Sequence, residues 1–413
     1  NSSFLGLIFH SISFKNSFFI QFFMLEDLIY RPYQFSMDRS IKELFERGIF
    51  SLALLPDKND FLLTQEGKIL RDKLIEEKRV EEFHKLPANE RLRYISLDRL
   101  DSLDGYTVPL TAHDYGAKTP VMWNSLYQQH NINIRNLMVV ADPDYLPEII
   151  PVLKNDPMYL GGGMAVGFKE KILSFLDIVK PSDLKAVNIV YKKDSRLIGE
   201  NTDALGFVKS LEESLALVGK EIKGSNLVIY GSGGVAKEVT KLLAEKGAAR
   251  IRIVNRTFSK AVALAHYLNE TYGLVAEGIG EELSRGVVLN SEIKADALVN
   301  LSDKGSDGAL VDAAMYAEAS QYNESKSRDI LRYLKSLRPD IVIADIVLPK
   351  IQPSISLRLA KAEGLQNLLD GKPMVINQAA PAYILVQGSH PSKHAKILSE
   401  SEVLSTMRTA ATK

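Results

Sequence analysis

The residues best suited to chemistry begin with an apolar run, Asn226-Leu-Val-Ile-Tyr, that opens into Gly231-Ser232-Gly233-Gly234-Val235-Ala236 and then into helical apolar spacing. A strand that runs directly into such a loop and on into a helix is built to hold a pyrophosphate. Gly231 permits the tight turn, and Gly233 lets backbone approach the anion. Ala236 is small enough for the helix to pack on its strand, and the first helical N–H groups face the negative charge. A flexible loop would supply the same glycines, but the setting between strand and helix favours dinucleotide binding. The next apolar run, Ile251-Arg-Ile-Val, ends in Asn255-Arg256-Thr257. No acidic residue stands there for a ribose 2′-hydroxyl. Arg256 can instead fork onto a 2′-phosphate and stack on adenine, with Asn255 and Thr257 donating hydrogen bonds. The plain alternative is a solvent-facing arginine at a strand end. NADP is the expected cofactor.

These residues need a scaffold, and the composition says of what kind. The chain has 413 residues, 46% hydrophobic and 25% charged, which are the proportions of an ordinary globular protein with room for two domains. Its 51 basic and 51 acidic side chains cancel. That balance provides no field to gather nucleic acid or an anionic membrane, so a small-molecule substrate is the expected partner. A homodimer is left open. The chain has no cysteine, which removes disulfides, thiolate zinc sites and cysteine nucleophiles together and fits a cytoplasmic location. The seven histidines form no HExxH or other helical ligand pair, so no protein-held metal is expected.

Apolar periodicity outlines the elements. Short runs at 106–110, 137–140, 163–166 and 186–191 alternate with helical patterns, and a second cycle follows at 226–230, 251–254, 297–299 and 341–344. This is an α/β rhythm, and the second cycle outlines a doubly wound parallel sheet of Rossmann type. The last 60 or so residues read as helical. Residues 37–105 read as a mostly helical extension, on the spacing of Leu74, Ile75, Val80 and Phe83. Residues 1–36 are apolar but interrupted by His10, Lys15 and Gln21, and fit neither a membrane span nor a secretory signal. We read them as a disordered or artefactual tail in preference to an anchor.

Elsewhere, Phe168-Lys169-Glu170, Ala186-Val187-Asn188, Gly199-Glu-Asn201-Thr202-Asp203-Ala-Leu-Gly206-Phe207 and Gln378-Ala379 with Ala382-Tyr383 occur in chain order around the glycine loop and Asn255-Arg256-Thr257. Together they resemble the signatures of the shikimate dehydrogenase family over about residues 106–390. The resemblance implies an α/β substrate-binding domain (106–205 with 348–413) and a Rossmann-type NADP-binding domain (206–347), with C-terminal helices returning to the first. It implies reversible hydride transfer between NADPH and a ring ketone such as 3-dehydroshikimate, within the shikimate pathway of aromatic amino acid biosynthesis. Carried over from the motifs, Lys169 and Asp203 are the acid–base pair. The ammonium stabilises and protonates the developing alkoxide, while the carboxylate orients the lysine and a substrate hydroxyl. Asn188, Gln378 and Thr119 would bind substrate, and Ser302, in Asn300-Leu-Ser302, would lie against the nicotinamide.

Several positions depart from the family pattern. The Ser-x-Ser that grips a substrate carboxylate falls at Ala117-Lys118-Thr119. Gly163, Ala165 and Gly167 replace an asparagine, a threonine and a proline ahead of Lys169, and Leu348 stands where a tyrosine is usual. Each lost hydrogen bond to a carboxylate weakens binding by about 1.5–3 kcal/mol. The substrate is therefore shikimate or a less polar, differently charged relative. The alternative reading is a non-catalytic protein that senses NADP or a metabolite. Glutamyl-tRNA reductase and methylenetetrahydrofolate dehydrogenase share a similar NADP domain. The first needs a cysteine this chain lacks, and neither carries Asn201-Thr202-Asp203.

Overall fold

The computed structural model describes residues 40–165, 167–273, 275–283, 294–306, 310–316, 324–348, 352–394 and 396–412. The tail expected at residues 1–36 lies outside them, as does Val166. In chain order the first elements are α1 (Ile41–Glu46), β1 (Ser51–Leu52), α2 (Gln65–Glu76) and α3 (Val80–Lys85). Thr64 caps α2 by accepting a hydrogen bond from Gly67 N at 3.0 Å. The helical apolar spacing here belongs to two helices, separated at Glu77–Arg79. Leu74, Val80 and Phe83 are buried, whereas Ile75 is 40% exposed and plays no part in the core.

Next come β2 (Gly105–Thr107), β3 (Leu110–Thr111), α4 (Thr119–Gln129), β4 (Ile134–Asn136), β5 (Val139–Val140), α5 (Leu146–Asn155), β6 (Tyr159–Gly163), β7 (Ile178–Lys180), β8 (Ile189–Lys193), β9 (Arg196–Glu200) and α6 (Asp203–Ala216). Six of these strands form a mixed sheet in the order β4-β2-β6-β8-β9-β7, while β1, β5 and β3 form a small second sheet. The run expected as one strand at 106–110 is divided at Val108-Pro109, because proline has no N–H to give the ladder. The chain after the break joins β5 instead. Residues 41–103 share one apolar core with β2, β3, α5 and β6, including Leu44, Phe50, Leu52, Phe83, Val108, Leu110 and Ile149.

The remaining elements are β10 (Asn226–Tyr230), α7 (Gly234–Glu245), β11 (Arg250–Asn255), α8 (Phe258–Tyr272), β12 (Ala276–Gly280), β13 (Ala297–Asn300), α9 (Glu324–Leu337), β14 (Val342–Asp345), α10 (Ile355–Ala362), β15 (Leu368–Leu369), α11 (Lys372–Ser389) and α12 (Glu400–Ala411). The sheet β12-β11-β10-β13-β14-β15 is parallel throughout, so its strands must bury both faces. Successive residues do so. Leu227, Ile229, Ile251 and Ile253 face one core, and Val228, Tyr230, Val254 and Leu298 face the other. The sheet reverses direction of growth between β10 and β13, the crevice where doubly wound folds bind ligands. Its last strand, β15, comes from beyond residue 347, past the limit expected for the nucleotide-binding part. Helices α11 and α12 return to the mixed sheet, where Tyr383, Val386, Val403 and Met407 pack with Trp123, Tyr127 and Ile189.

Candidate active site

Phe168 is fully buried and anchors a turn that leaves the next side chain, Lys169, half-exposed. Val187 N donates to Lys169 O at 2.9 Å, and Asn188 N donates to Glu200 O at 3.1 Å. These two bonds draw the turn, the entry to β8 and the end of β9 together. Asp203 follows as the first residue of α6, where a carboxylate complements the helix dipole. The result is a contact of 2.6 Å between Lys169 Nζ and Asp203 Oδ2, with the side chains 31% and 14% exposed.

The other carboxylate oxygen is also held. Asn188 Nδ2 lies 2.8 Å from Asp203 Oδ1, 3.0 Å from Thr202 Oγ1 and 3.2 Å from Gln378 Oε1. Thr202 N donates to Asn188 Oδ1 at 2.8 Å, and Thr202 Oγ1 to Gln378 Oε1 at 3.0 Å. Lys169, Asp203, Asn188 and Gln378, named from four separate motifs, thus form one network. Thr202 is a member that sequence reasoning did not single out, although it stands inside the Asn201-Thr202-Asp203 motif. Gly206 makes the network sterically available. A Cβ there would lie 2.5 Å from Gln378 N and 2.7 Å from Met374 O, so only glycine lets α6 and α11 cross this closely.

The departures have structural correlates. Gly167 has φ +95°, which proline cannot adopt, so the approach to Lys169 follows a path of its own. Ala117 is buried against Ala53 and Met138. Lys118 is exposed, and Thr119 opens α4 half-buried. Among the described residues no hydrogen bond joins Thr119 to the Lys169 network. Leu348 is 51% exposed and leans toward Gly371.

A groove lies at the crevice of the parallel sheet, lined among others by Gly231, Ser232, Gly233, Asn255, Arg256, Thr257 and Ser302. Gly231 has φ +115°, and a Cβ on it would lie 2.7 Å from Leu301 O, so the turn requires glycine. Around Gly233 and Gly234 a Cβ would meet nothing within 4 Å, which leaves the mouth of α7 open to an anion. Ala236 is fully buried beneath the helix. Val235 is exposed at its start. Asn255 Nδ2 donates to Thr257 O at 3.0 Å and shapes the turn that presents Arg256. Ser302 Oγ donates to Asn300 Oδ1 at 2.6 Å, and Asn300 Nδ2 donates to Asp345 Oδ1 at 2.9 Å.

Two lining lysines were not read from the sequence. Lys260 stands one helical turn past Arg256 as a second exposed cation. Lys304 is buried and ion-paired with Glu281, and burial holds its ammonium below the ordinary lysine range against the pull of that carboxylate. Both sit where only tertiary structure brings them to the loop. Glycine backbone, an open helix N-terminus, Arg256 and Lys260 together fit a phosphorylated dinucleotide, and the groove lacks an acidic residue at the end of β11. Lys169 and Asp203 are not among its lining residues. Backbone links the two halves instead: Ile346 N donates to Asn300 O at 3.1 Å, and Ile346 O lies against Gly371 at the start of α11, the helix that carries Gln378. Among the described residues no group of three or more His, Cys, Asp or Glu is placed to hold a metal, and no helix is long and apolar enough to cross a membrane.

The chain is similar to known proteins. A family model described as Shikimate / quinate 5-dehydrogenase matches residues 213–283. The chain is 30% identical over 285 residues to the shikimate dehydrogenase (NADP(+)) of Halothermothrix orenii, covering 68% of this chain and 91% of that protein. It is 28% identical over 275 residues to the protein of the same name from Alkaliphilus oremlandii, covering 65% and 86%. Among solved structures, shikimate 5-dehydrogenase of Listeria monocytogenes in complex with shikimate and NAD gives a TM-score of 0.56 at 20% identity, over 73% of this chain and 95% of that one. Shikimate 5-dehydrogenase of Thermus thermophilus in complex with NADP(H) and shikimate gives 0.51 at 25% identity, over 74% and 99%.

Proposed function

The chain belongs to the shikimate dehydrogenase family, and from that premise we propose that it is an NADP-dependent oxidoreductase that interconverts a ring alcohol and a ring ketone, 3-dehydroshikimate or a less polar relative. The observation that carries this reading is the 2.6 Å contact of Lys169 Nζ with Asp203, whose second oxygen is held by Asn188.

In the reducing direction a carbonyl oxygen gains negative charge as hydride reaches its carbon. Bound NADPH supplies that hydride. Lys169 stabilises the oxyanion and gives it a proton from Nζ, and Asp203 fixes the lysine and accepts a hydrogen bond from the neighbouring substrate hydroxyl. Oxidation runs through the same groups in reverse, with the hydroxyl proton passing to Nζ. Asn188 and Gln378 border the pair and are suited to exchanging part of their mutual hydrogen bonding for substrate hydroxyls. Gly231 to Ala236 would hold the pyrophosphate, Arg256 with Lys260 the 2′-phosphate, and Ser302 the nicotinamide side.

Thr119 and Lys118 are the polar groups left at the end expected to hold a substrate carboxylate, with Ala117 turned into an apolar contact. This favours a substrate that leans less on carboxylate binding than shikimate does. The same proposal includes a cytoplasmic location and leaves room for a homodimer. NADP reduction with shikimate, quinate and carboxylate-free ring alcohols tests it. Turnover that prefers the last supports the specificity reading, and absence of turnover on the whole panel removes the activity.

A further inference from the structure

The segment 51–59 has no counterpart in the motifs above, yet it is tied to the loop at 112–118 from several sides. β1 pairs antiparallel with β5, and Ala53 N donates to Met138 O at 3.1 Å. Asn59 is 2% exposed. Its Nδ2 bonds Ala53 O at 2.7 Å and Met138 O at 2.9 Å, while its Oδ1 accepts from Met138 N at 2.9 Å. Asn124, on α4, donates to Lys58 O at 2.8 Å. The segment is therefore stitched to β5, the neighbour of β3, and to α4, which follows the loop.

Asp114 is the loop's own attachment. Its side chain is fully buried, and Oδ2 accepts from Leu54 N at 2.5 Å and meets His84 Nε2 at 3.0 Å. Leu55 N donates to Oδ1 at 3.2 Å. On its other side, His84 Nδ1 meets Ser51 Oγ at 2.8 Å. Serine, histidine and aspartate in series resemble a hydrolase triad, but the burial argues against one. Ser51 is 3% exposed, the His84 side chain 9%, and the carboxylate is already engaged by two backbone amides, so nothing can reach the hydroxyl. What the series can do is hold position.

The held loop leads to the catalytic turn. Ala165 N donates to Leu110 O at 3.0 Å, and a Cβ on Gly167 would lie 3.5 Å from Ala112 Cβ, two residues before Lys169. Four residues after Asp114 come Lys118 and then Thr119. We propose that residues 51–59 with His84 form a fixed clasp for the loop 112–118, and that Asp114 is a positioning residue that sets the affinity for substrate without entering the chemical step. The kinetic part rests on the activity proposed above; the structural part does not.

Hydrogen–deuterium exchange and steady-state kinetics on the full chain, as wild type, Asp114→Asn and Ser51→Ala, test this. Asn keeps the shape but loses an anionic acceptor, and Ser51→Ala removes only the far end of the series. In Asp114→Asn, amide exchange across 112–118 should rise about tenfold or more, while exchange in β10 and α7 stays near wild type. KM for the ring alcohol should rise about tenfold or more, with kcat and KM for NADP within about threefold. Ser51→Ala should move the same quantities in the same direction by less, and it carries the test if Asp114→Asn does not fold. Unchanged loop exchange, exchange raised evenly across the protein, or a fall in kcat at constant KM overturns the clasp. If the wild type turns over no ring alcohol, the proposed activity fails, and the exchange comparison still decides the clasp.

Discussion

Gly206 and Gln378 meet at the crossing of α6 and α11, and a single methyl group on Gly206 would drive into the Gln378 backbone at 2.5 Å. Asp203 sits one turn before this point on α6, and Gln378 reaches back to Thr202 and Asn188. The distance between two helices thus sets the geometry around the Lys169–Asp203 contact. Gly206→Ala should destabilise the protein by about 1–3 kcal/mol through overpacking. It should also lower kcat/KM at least about tenfold, because a misplacement of about 1 Å costs that much or more. Urea unfolding and steady-state kinetics check this together; a variant with wild-type stability and activity would show that the crossing tolerates a side chain.

Arg256 and Lys260 are exposed cations lining the groove, proposed above to meet the 2′-phosphate. Removing a charge-assisted bond to a phosphate costs about 1.5–3 kcal/mol. Arg256→Ala should therefore raise KM for NADP about 10- to 100-fold while KM for NAD stays within about threefold. Equal losses for both nucleotides would mean that Arg256 supports the loop and does not read the 2′-phosphate.

Asp345 is buried at the end of β14 between Asn300, Val347 N and Ser354, and burial pushes its carboxyl from 3.8 up to about 6. The folded protein therefore keeps this proton to higher pH than the unfolded chain does. Between about pH 4 and pH 6 the unfolded state binds fewer protons, so this group's contribution to stability falls as pH rises through that window. The drop is about 3 kcal/mol at most, from 1.36 kcal/mol per pH unit. Unfolding free energies of wild type and Asp345→Asn, measured from pH 4 to 8, should diverge across the window, wild type losing ground, and run parallel above about pH 7. A pH-independent difference would contradict the assignment.

The nucleotide half was legible because its chemistry is written locally. Gly231 is the residue its φ demands, Ala236 the residue its packing demands, and Arg256 stands at a strand end fixed by alternating apolar residues. The meeting of Lys169 and Asp203 was legible only through resemblance to known motifs, since 33 residues separate them and no periodicity links them. Lys304 reads as a surface charge until β12 brings Glu281 beside it. Ser51, His84 and Asp114 come from three unconnected stretches, so their series could not be read in advance. The division at Val108-Pro109 could have been, because a proline inside a strand pattern is itself the signal.

The proposed activity turns on whether Lys169 does chemistry. The direct measurement is kcat for NADP reduction on the ring-alcohol panel by wild type and Lys169→Ala, with NADP affinity followed in parallel by fluorescence. Loss of Lys169 should lower kcat about 10²- to 10⁴-fold, with NADP affinity within about threefold of wild type. Turnover that survives the substitution, at wild-type nucleotide affinity, would contradict a chemical role for Lys169.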